Sequence, residues 1–128
     1  MNNKKIVLIT EDEKSLREAL HDKLINSGLK VIEAKDGEEG LGISLKEHPD
    51  LILLDLLMPK MDGMSMLKKL RSDEWGKTVP VIILTNLSSA DEGRNKDITN
   101  LEPTYYFVKT EKSMEEIVEK IKDRLGIV

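Results

Sequence analysis

The sequence of 128 residues contains no cysteine, which excludes disulfides and thiolate metal sites and leaves a reducing compartment open. Aromatics are scarce, one Trp, two Tyr and one Phe, so a core must be built mostly from Leu, Ile, Val and Met. No apolar run approaches the ~20 residues that cross a bilayer. The polar start runs straight into a short apolar stretch without the regions of a secretory signal. A cytoplasmic protein is the expectation. There is also no Lys/Arg block and no basic-aromatic stripe. With 24 acidic residues interspersed among 20 basic ones and a net charge of -4, direct nucleic-acid binding is not expected. No repeat, linker or low-complexity tract divides the chain, and its length suits one domain over residues 1–128.

What is present is an alternation of apolar runs and helical patterns, the mark of a parallel sheet covered on both faces. Strands are expected over 5–10, 30–34, 51–55, 81–86 and 105–109. Three contain consecutive apolar residues, Ile6-Val7-Leu8-Ile9, Leu51-Ile52-Leu53-Leu54 and Val81-Ile82-Ile83-Leu84, which implies burial on both sides. Between them, helices are expected around Leu16, Leu20 and Leu24; around Leu41, Ile43 and Leu45; around Met64, Leu67 and Leu70; and from Met114 to Leu125 after Ser113, whose spacing to Glu116 suits a capping box. Gly28 and Gly126 stand where helices should stop. A short polar helix is expected within residues 86–101. His21 and His48 read as surface histidines, the methionines as core filler and Trp75 as a local packing residue.

Ligands of an open parallel sheet bind beyond the carboxyl ends of its strands, so the residues that end each strand matter most. These are Glu11 and Asp12, Asp55, Thr85 and Lys109. Each has a structural alternative: the first two as acids favouring a helix start, Thr85 as a β-branched strand residue, Lys109 as a solvated strand end. Asp55 follows four buried apolar residues, where an uncompensated carboxylate is costly. A hard divalent cation relieves a cluster of acids, which predicts Mg2+ between Glu11, Asp12 and Asp55. A carboxylate so held can attack phosphorus, with Lys109 balancing charge and Thr85 donating to a phosphoryl oxygen.

The segments Glu11-Asp12-Glu13, Leu53-Leu54-Asp55-Leu56-Leu57-Met58-Pro59 with Met61-Asp62-Gly63, Thr85, and Tyr106-Phe107-Val108-Lys109 together resemble response-regulator receiver domains, over essentially the whole chain. The resemblance implies a flavodoxin-like (βα)5 α/β fold, a five-stranded parallel sheet of order 2-1-3-4-5 with helices on both faces. It implies Asp55 as phosphoacceptor, Asp12 and Asp55 as metal ligands with the Leu57 backbone carbonyl, and Glu11 in the acidic pocket. Thr85 and Lys109 would be the phosphate-sensing pair. Tyr106 would be an aromatic switch on the face formed by the 86–101 helix, the fifth strand and the last helix. The phosphoryl donor would be a sensor histidine kinase or phosphotransfer protein, and the output an unknown protein target. Such a protein is a signalling domain, with at most self-phosphorylation from small donors and slow autodephosphorylation.

The sequence departs from the family pattern at several positions. Thr110 replaces the proline that usually follows the lysine, so a trans Lys109–Thr110 bond is expected. Asn86 replaces a small residue after Thr85. Leu57 and Leu87, two beyond Asp55 and Thr85, offer nothing to orient an attacking water, which predicts a long-lived phosphoryl group. Glu102-Pro103 replaces a small pair before the last strand. These departures keep open a degenerate receiver that binds partners without phosphorylation. A phosphohydrolase would want an acid where Leu57 stands, and a flavin binder would want a Ser/Thr/Gly-rich loop in place of Glu11-Asp12-Glu13. With the chain ending two residues after Gly126, a stand-alone receiver is the expectation.

Overall fold

The consecutive-apolar segments become central strands because every side chain in them has a covered face to enter. In the computed structural model, which describes residues 4–85, 103, 105–109 and 112–127, these are β1 (Ile6–Thr10), β3 (Leu51–Leu54) and β4 (Val81–Thr85). The edges are β2 (Lys30–Ala34) and β5 (Tyr105–Val108), and the parallel order is β2-β1-β3-β4-β5, as expected. Strand parity divides the core into two layers. Val7, Ile9, Leu51, Leu53, Ile82 and Leu84 meet the helices α1 (Lys14–Asn26) and α4 (Met114–Leu125). Leu8, Ile52, Leu54, Val81 and Ile83 meet α3 (Gly63–Arg71) and the flank of α2 (Gly37–Glu47).

Leu20 and Leu24 of α1 and Ile117, Val118 and Ile121 of α4 fill the first layer, as their spacing predicts. Ser113 caps α4 in the expected box with Glu116, and Gly28 and Gly126 take left-handed φ beyond α1 and α4. The second helix follows its apolar reading in part, since Leu41 and Ile43 pack half-buried against the second layer. It buries Gly37, Gly40 and Ser44 and leaves Leu45 exposed, because it lies too close to β1 for larger groups. A Cβ on Gly40 would come within 2.8 Å of Thr10 Cγ2 and 3.1 Å of Met66 Sδ.

His48 is exposed, as expected. It ends α2 in the left-handed conformation, φ 48°, and stacks on Trp75 with ring centroids 4.3 Å apart. Among the described methionines only Met66 is fully buried; Met58, Met61, Met64 and Met114 pack half-buried against the layers. The helix expected within 86–101, together with Asn86, Leu87, Glu102 and the Lys109–Thr110 bond, lies outside the described residues.

Candidate functional site: an acidic pocket at the sheet's carboxyl edge

Because β1 lies between β2 and β3, the chain leaves β1 toward one side of the sheet and β3 toward the other, opening a crevice between the loops after them. The third and fifth strands stop one residue short of Asp55 and Lys109, whereas β4 ends on Thr85. Asp55 follows β3, its N–H donating to the Thr10 carbonyl at 3.0 Å. Lys109 follows β5, its N–H donating to the Thr85 carbonyl at 2.8 Å. Glu11 follows β1, its N–H donating to the Ala34 carbonyl at 3.0 Å. The last sheet bonds thus anchor the backbones while the side chains turn into the crevice.

There Lys109 Nζ lies 2.9 Å from Glu11 Oε1 and 3.1 Å from Asp55 Oδ2. Asp55 Oδ1 accepts from the Leu57 N–H at 3.2 Å, and Glu11 Oε2 from the Glu13 N–H at 3.0 Å. Glu11 and Asp55 are 3% and 4% exposed, whereas Asp12 faces solvent. Carboxylate oxygens of all three acids lie within 4.8 Å of one another.

Burial pushes the Glu11 carboxyl from 4.5 up to about 7. The Lys109 and Glu13 hydrogen bonds oppose the rise, and the charge of Asp55 adds to it. For Lys109 burial favours the neutral amine, but the Glu11 hydrogen bond and the two carboxylate charges outweigh it, so the ammonium is held above its ordinary value. One ammonium thus faces three acids, and Glu11 can remain charged at neutral pH only at a cost. An all-oxygen donor set with that surplus of negative charge fits a hard divalent cation.

The loop after β3 is held by two glycines. A Cβ on Gly63 would stand 2.3 Å from the Asp55 carbonyl oxygen, and the Gly63 N–H donates to Leu56 O at 3.0 Å. Gly37 meets Met61 in the same way, with its N–H 3.0 Å from the Met61 carbonyl. Asp62 caps α3 by accepting from the Ser65 N–H at 2.8 Å. A cavity of about 500 Å³ opens beside Asp12, between Leu57, Met58, Asp62, Met64 and Lys68.

Glu11, Asp12, Asp55 and Lys109 therefore meet as the sequence led one to expect. Thr85 is fully buried on the adjoining strand end. Leu57 is 46% exposed at the rim. Tyr106 is half-buried and packs on the α2/α3 layer. Two residues near the site were not anticipated. Arg17 donates to the carbonyls of Glu11 and Asp12, and Glu33 of β2 accepts from Arg17. An acid breaking the apolar pattern of β2 beside the end of β1 was the available signal.

Residues 7–122 match the response regulator receiver domain family. A probable transcriptional regulator, ycf27, of Porphyridium aerugineum is 44% identical over 89 residues, 70% of this chain and 36% of its own. The chain thus spans about a third of the length of such relatives. Among solved structures, the receiver domain of Francisella response regulator 1452 is 29% identical, with a TM-score of 0.84 over 95% of this chain and 97% of that one. A DNA-binding response regulator of the LuxR family from Staphylococcus aureus is 25% identical, with a TM-score of 0.83 over 94% and 98%. With the sheet order, the acidic pocket and the sequence match in agreement, the chain belongs to the response regulator receiver domain family.

Proposed function

We propose that this chain is the phosphoacceptor of a two-component phosphorelay, taking a phosphoryl group onto Asp55 with Mg2+ in the pocket, from a histidine kinase or phosphotransfer protein. The observation that carries the reading is the buried Asp55 carboxylate, held by one ammonium and one backbone N–H beside two further acids. Those contacts fix the orientation of the oxygen that acts as nucleophile. An Asp55 oxygen attacks phosphorus. The new O–P bond forms as the bond to the donor nitrogen breaks, and the donor leaves with that electron pair.

Asp12, Asp55 and the Leu57 carbonyl would hold Mg2+, with Glu11 completing the acidic wall. When bound, the ion supplies positive charge for the phosphoryl oxygens. Lys109, already between Glu11 and Asp55, shifts its hydrogen bonds toward those oxygens, and Thr85 donates its hydroxyl to one of them. Tyr106 then reports the change on its own face of the sheet. The same chemistry allows self-phosphorylation from small donors, while loss of the phosphoryl group is slow because Leu57 and Leu87 position no water.

No helix among the described residues is long and apolar enough to cross a membrane, in keeping with a cytoplasmic relay. The expected lack of direct nucleic-acid contact rests on the charge of these 128 residues alone, since one structural relative is described as DNA-binding. Stand-alone action belongs to the same proposal, although the relatives that the chain matches are longer. The alternative is a degenerate receiver that binds partners unphosphorylated. Incubation with acetyl phosphate and Mg2+ followed by intact mass measurement separates them. The relay reading expects a gain of one phosphoryl group that Asp55→Asn abolishes; the degenerate reading expects none.

A further inference from the structure

We propose that Arg17 is a positioning residue for the acidic pocket: its guanidinium fixes the turn that presents Glu11 and Asp12, and Glu33 on the edge strand fixes the guanidinium. The inference rests on the metal-assisted reading above and adds the element that sets the pocket's affinity for its divalent cation.

Arg17 lies one turn into α1, yet its side chain is only 11% exposed. Nη1 donates to the Glu11 carbonyl at 2.9 Å and reaches the Asp12 carbonyl at 3.4 Å. Nε donates to Glu33 Oε1 at 3.0 Å. The other Glu33 oxygen lies 3.0 Å from His21 Nδ1, so both arms of that carboxylate face a nitrogen. Glu33 is the register partner of Ile9, and the next β2 residue, Ala34, accepts the Glu11 N–H. Strand β2 therefore holds Glu11 from both sides of its backbone, directly through the N–H and by way of Arg17 through the carbonyl.

The planar fork of a guanidinium suits this bridge, because it satisfies a carboxylate and carbonyls at fixed angles; a lysine ammonium is a point charge and would not. An exposed ion pair of the same composition would contribute little. Here the guanidinium is sheltered although the Glu33 side chain is 34% exposed, and the bridge ends on the backbone of two of the three pocket acids.

Charge and position make opposite demands here, which gives the inference a sharp test. If Arg17 acted on a nearby cation only through its charge, removing it would tighten cation binding. If it acts by holding the turn, removing it loosens the Glu11–Asp12 arrangement and weakens binding. The charge-matched double variant Arg17→Met/Glu33→Gln removes the bridge with no change in net charge.

Calorimetric titration of the intact protein with MgCl2, together with phosphorylation by acetyl phosphate across a Mg2+ series, reads both. About tenfold weaker Mg2+ binding is expected in Arg17→Met and in the double variant. The half-saturating Mg2+ concentration for phosphorylation should rise in parallel, and the maximal rate should stay within about twofold of wild type. Glu33→Gln, which leaves the guanidinium contacts to the carbonyls in place, should show a smaller loss of about threefold, and it serves if Arg17→Met does not fold. Unchanged or tighter Mg2+ binding overturns the inference, as does a loss of maximal rate at unchanged Mg2+ affinity. If wild type gains a phosphoryl group and binds Mg2+ while the variants match it, Arg17 alone was misread. If wild type does neither, the reading of the site falls and this inference with it.

Discussion

Replacing Glu11 by Gln should stabilise the metal-free protein near neutral pH and lose that advantage in acid. Glu11 is 3% exposed, and burial lifts its carboxyl from 4.5 to about 7 against the pull of Lys109. The folded protein therefore holds the Glu11 proton more tightly than the unfolded chain does. This contribution to stability is complete below pH 4.5 and is lost as the pH rises through about 7. At 1.36 kcal/mol for each pH unit of difference, the loss amounts to about 3 kcal/mol. Lys109, raised above its ordinary value, keeps its charge throughout that window.

Gln keeps the shape and an acceptor for Lys109 but cannot ionise. Urea unfolding of both proteins in chelator, from about pH 4.5 to about pH 8, should show the gap between them widening by up to about 3 kcal/mol as the pH rises. Excess Mg2+ should close the gap by stabilising wild type preferentially. A difference that stays constant across the range would show that Glu11 is not desolvated in the way the pocket implies.

At the other wall, Gly63→Ala forces a methyl group against the Asp55 carbonyl and should cost about 1–3 kcal/mol while slowing phosphorylation, read by urea midpoint and acetyl phosphate kinetics. Thr10 is fully buried, and its hydroxyl finds no partner among the described residues, so Thr10→Val should stabilise the fold by about 1 kcal/mol in the same unfolding assay. Leu57→Asn with Leu87→Glu should shorten the phosphoryl half-life by roughly tenfold or more, measured by the decay of the phosphorylated mass, since both new side chains can position a water. An unchanged half-life would remove the apolar pair as the cause of slow hydrolysis.

The sheet was legible because central parallel strands must be apolar on both faces, a pattern that Leu51 to Leu54 and Val81 to Leu84 carry without interruption. The pocket was legible for the complementary reason: Asp55 and Lys109 are charged groups set immediately after apolar strands, where each demands a partner, and each proves to be the other's. Close approaches were not legible. Gly40 and Ser44 give α2 its fully buried face, whereas a search for a helix's buried side looks for large apolar groups and settles on Leu41, Ile43 and Leu45, of which the first two pack half-buried and Leu45 is exposed. Gly63 stands in sequence only as the end of the Met61-Asp62-Gly63 motif, and the backbones pressed against it and Gly37 show only in the fold. Arg17 reads as the polar side of an amphipathic helix. Only the parallel pairing of β1 with β2 brings Glu33 within its reach and reveals a bridge. His48 and Trp75 lie far apart along the chain, so their stack was equally hidden.

Asp55 as the residue that supplies the oxygen of the new O–P bond is the central claim. Borohydride reduction of the acetyl phosphate-treated protein, which converts an acyl phosphate to the homoserine side chain, followed by peptide mapping, locates that bond directly. Homoserine is expected at position 55 alone, dependent on Mg2+ and absent from untreated protein. Reduction at any other carboxylate, or none in a protein that has gained a phosphoryl group, would contradict the claim.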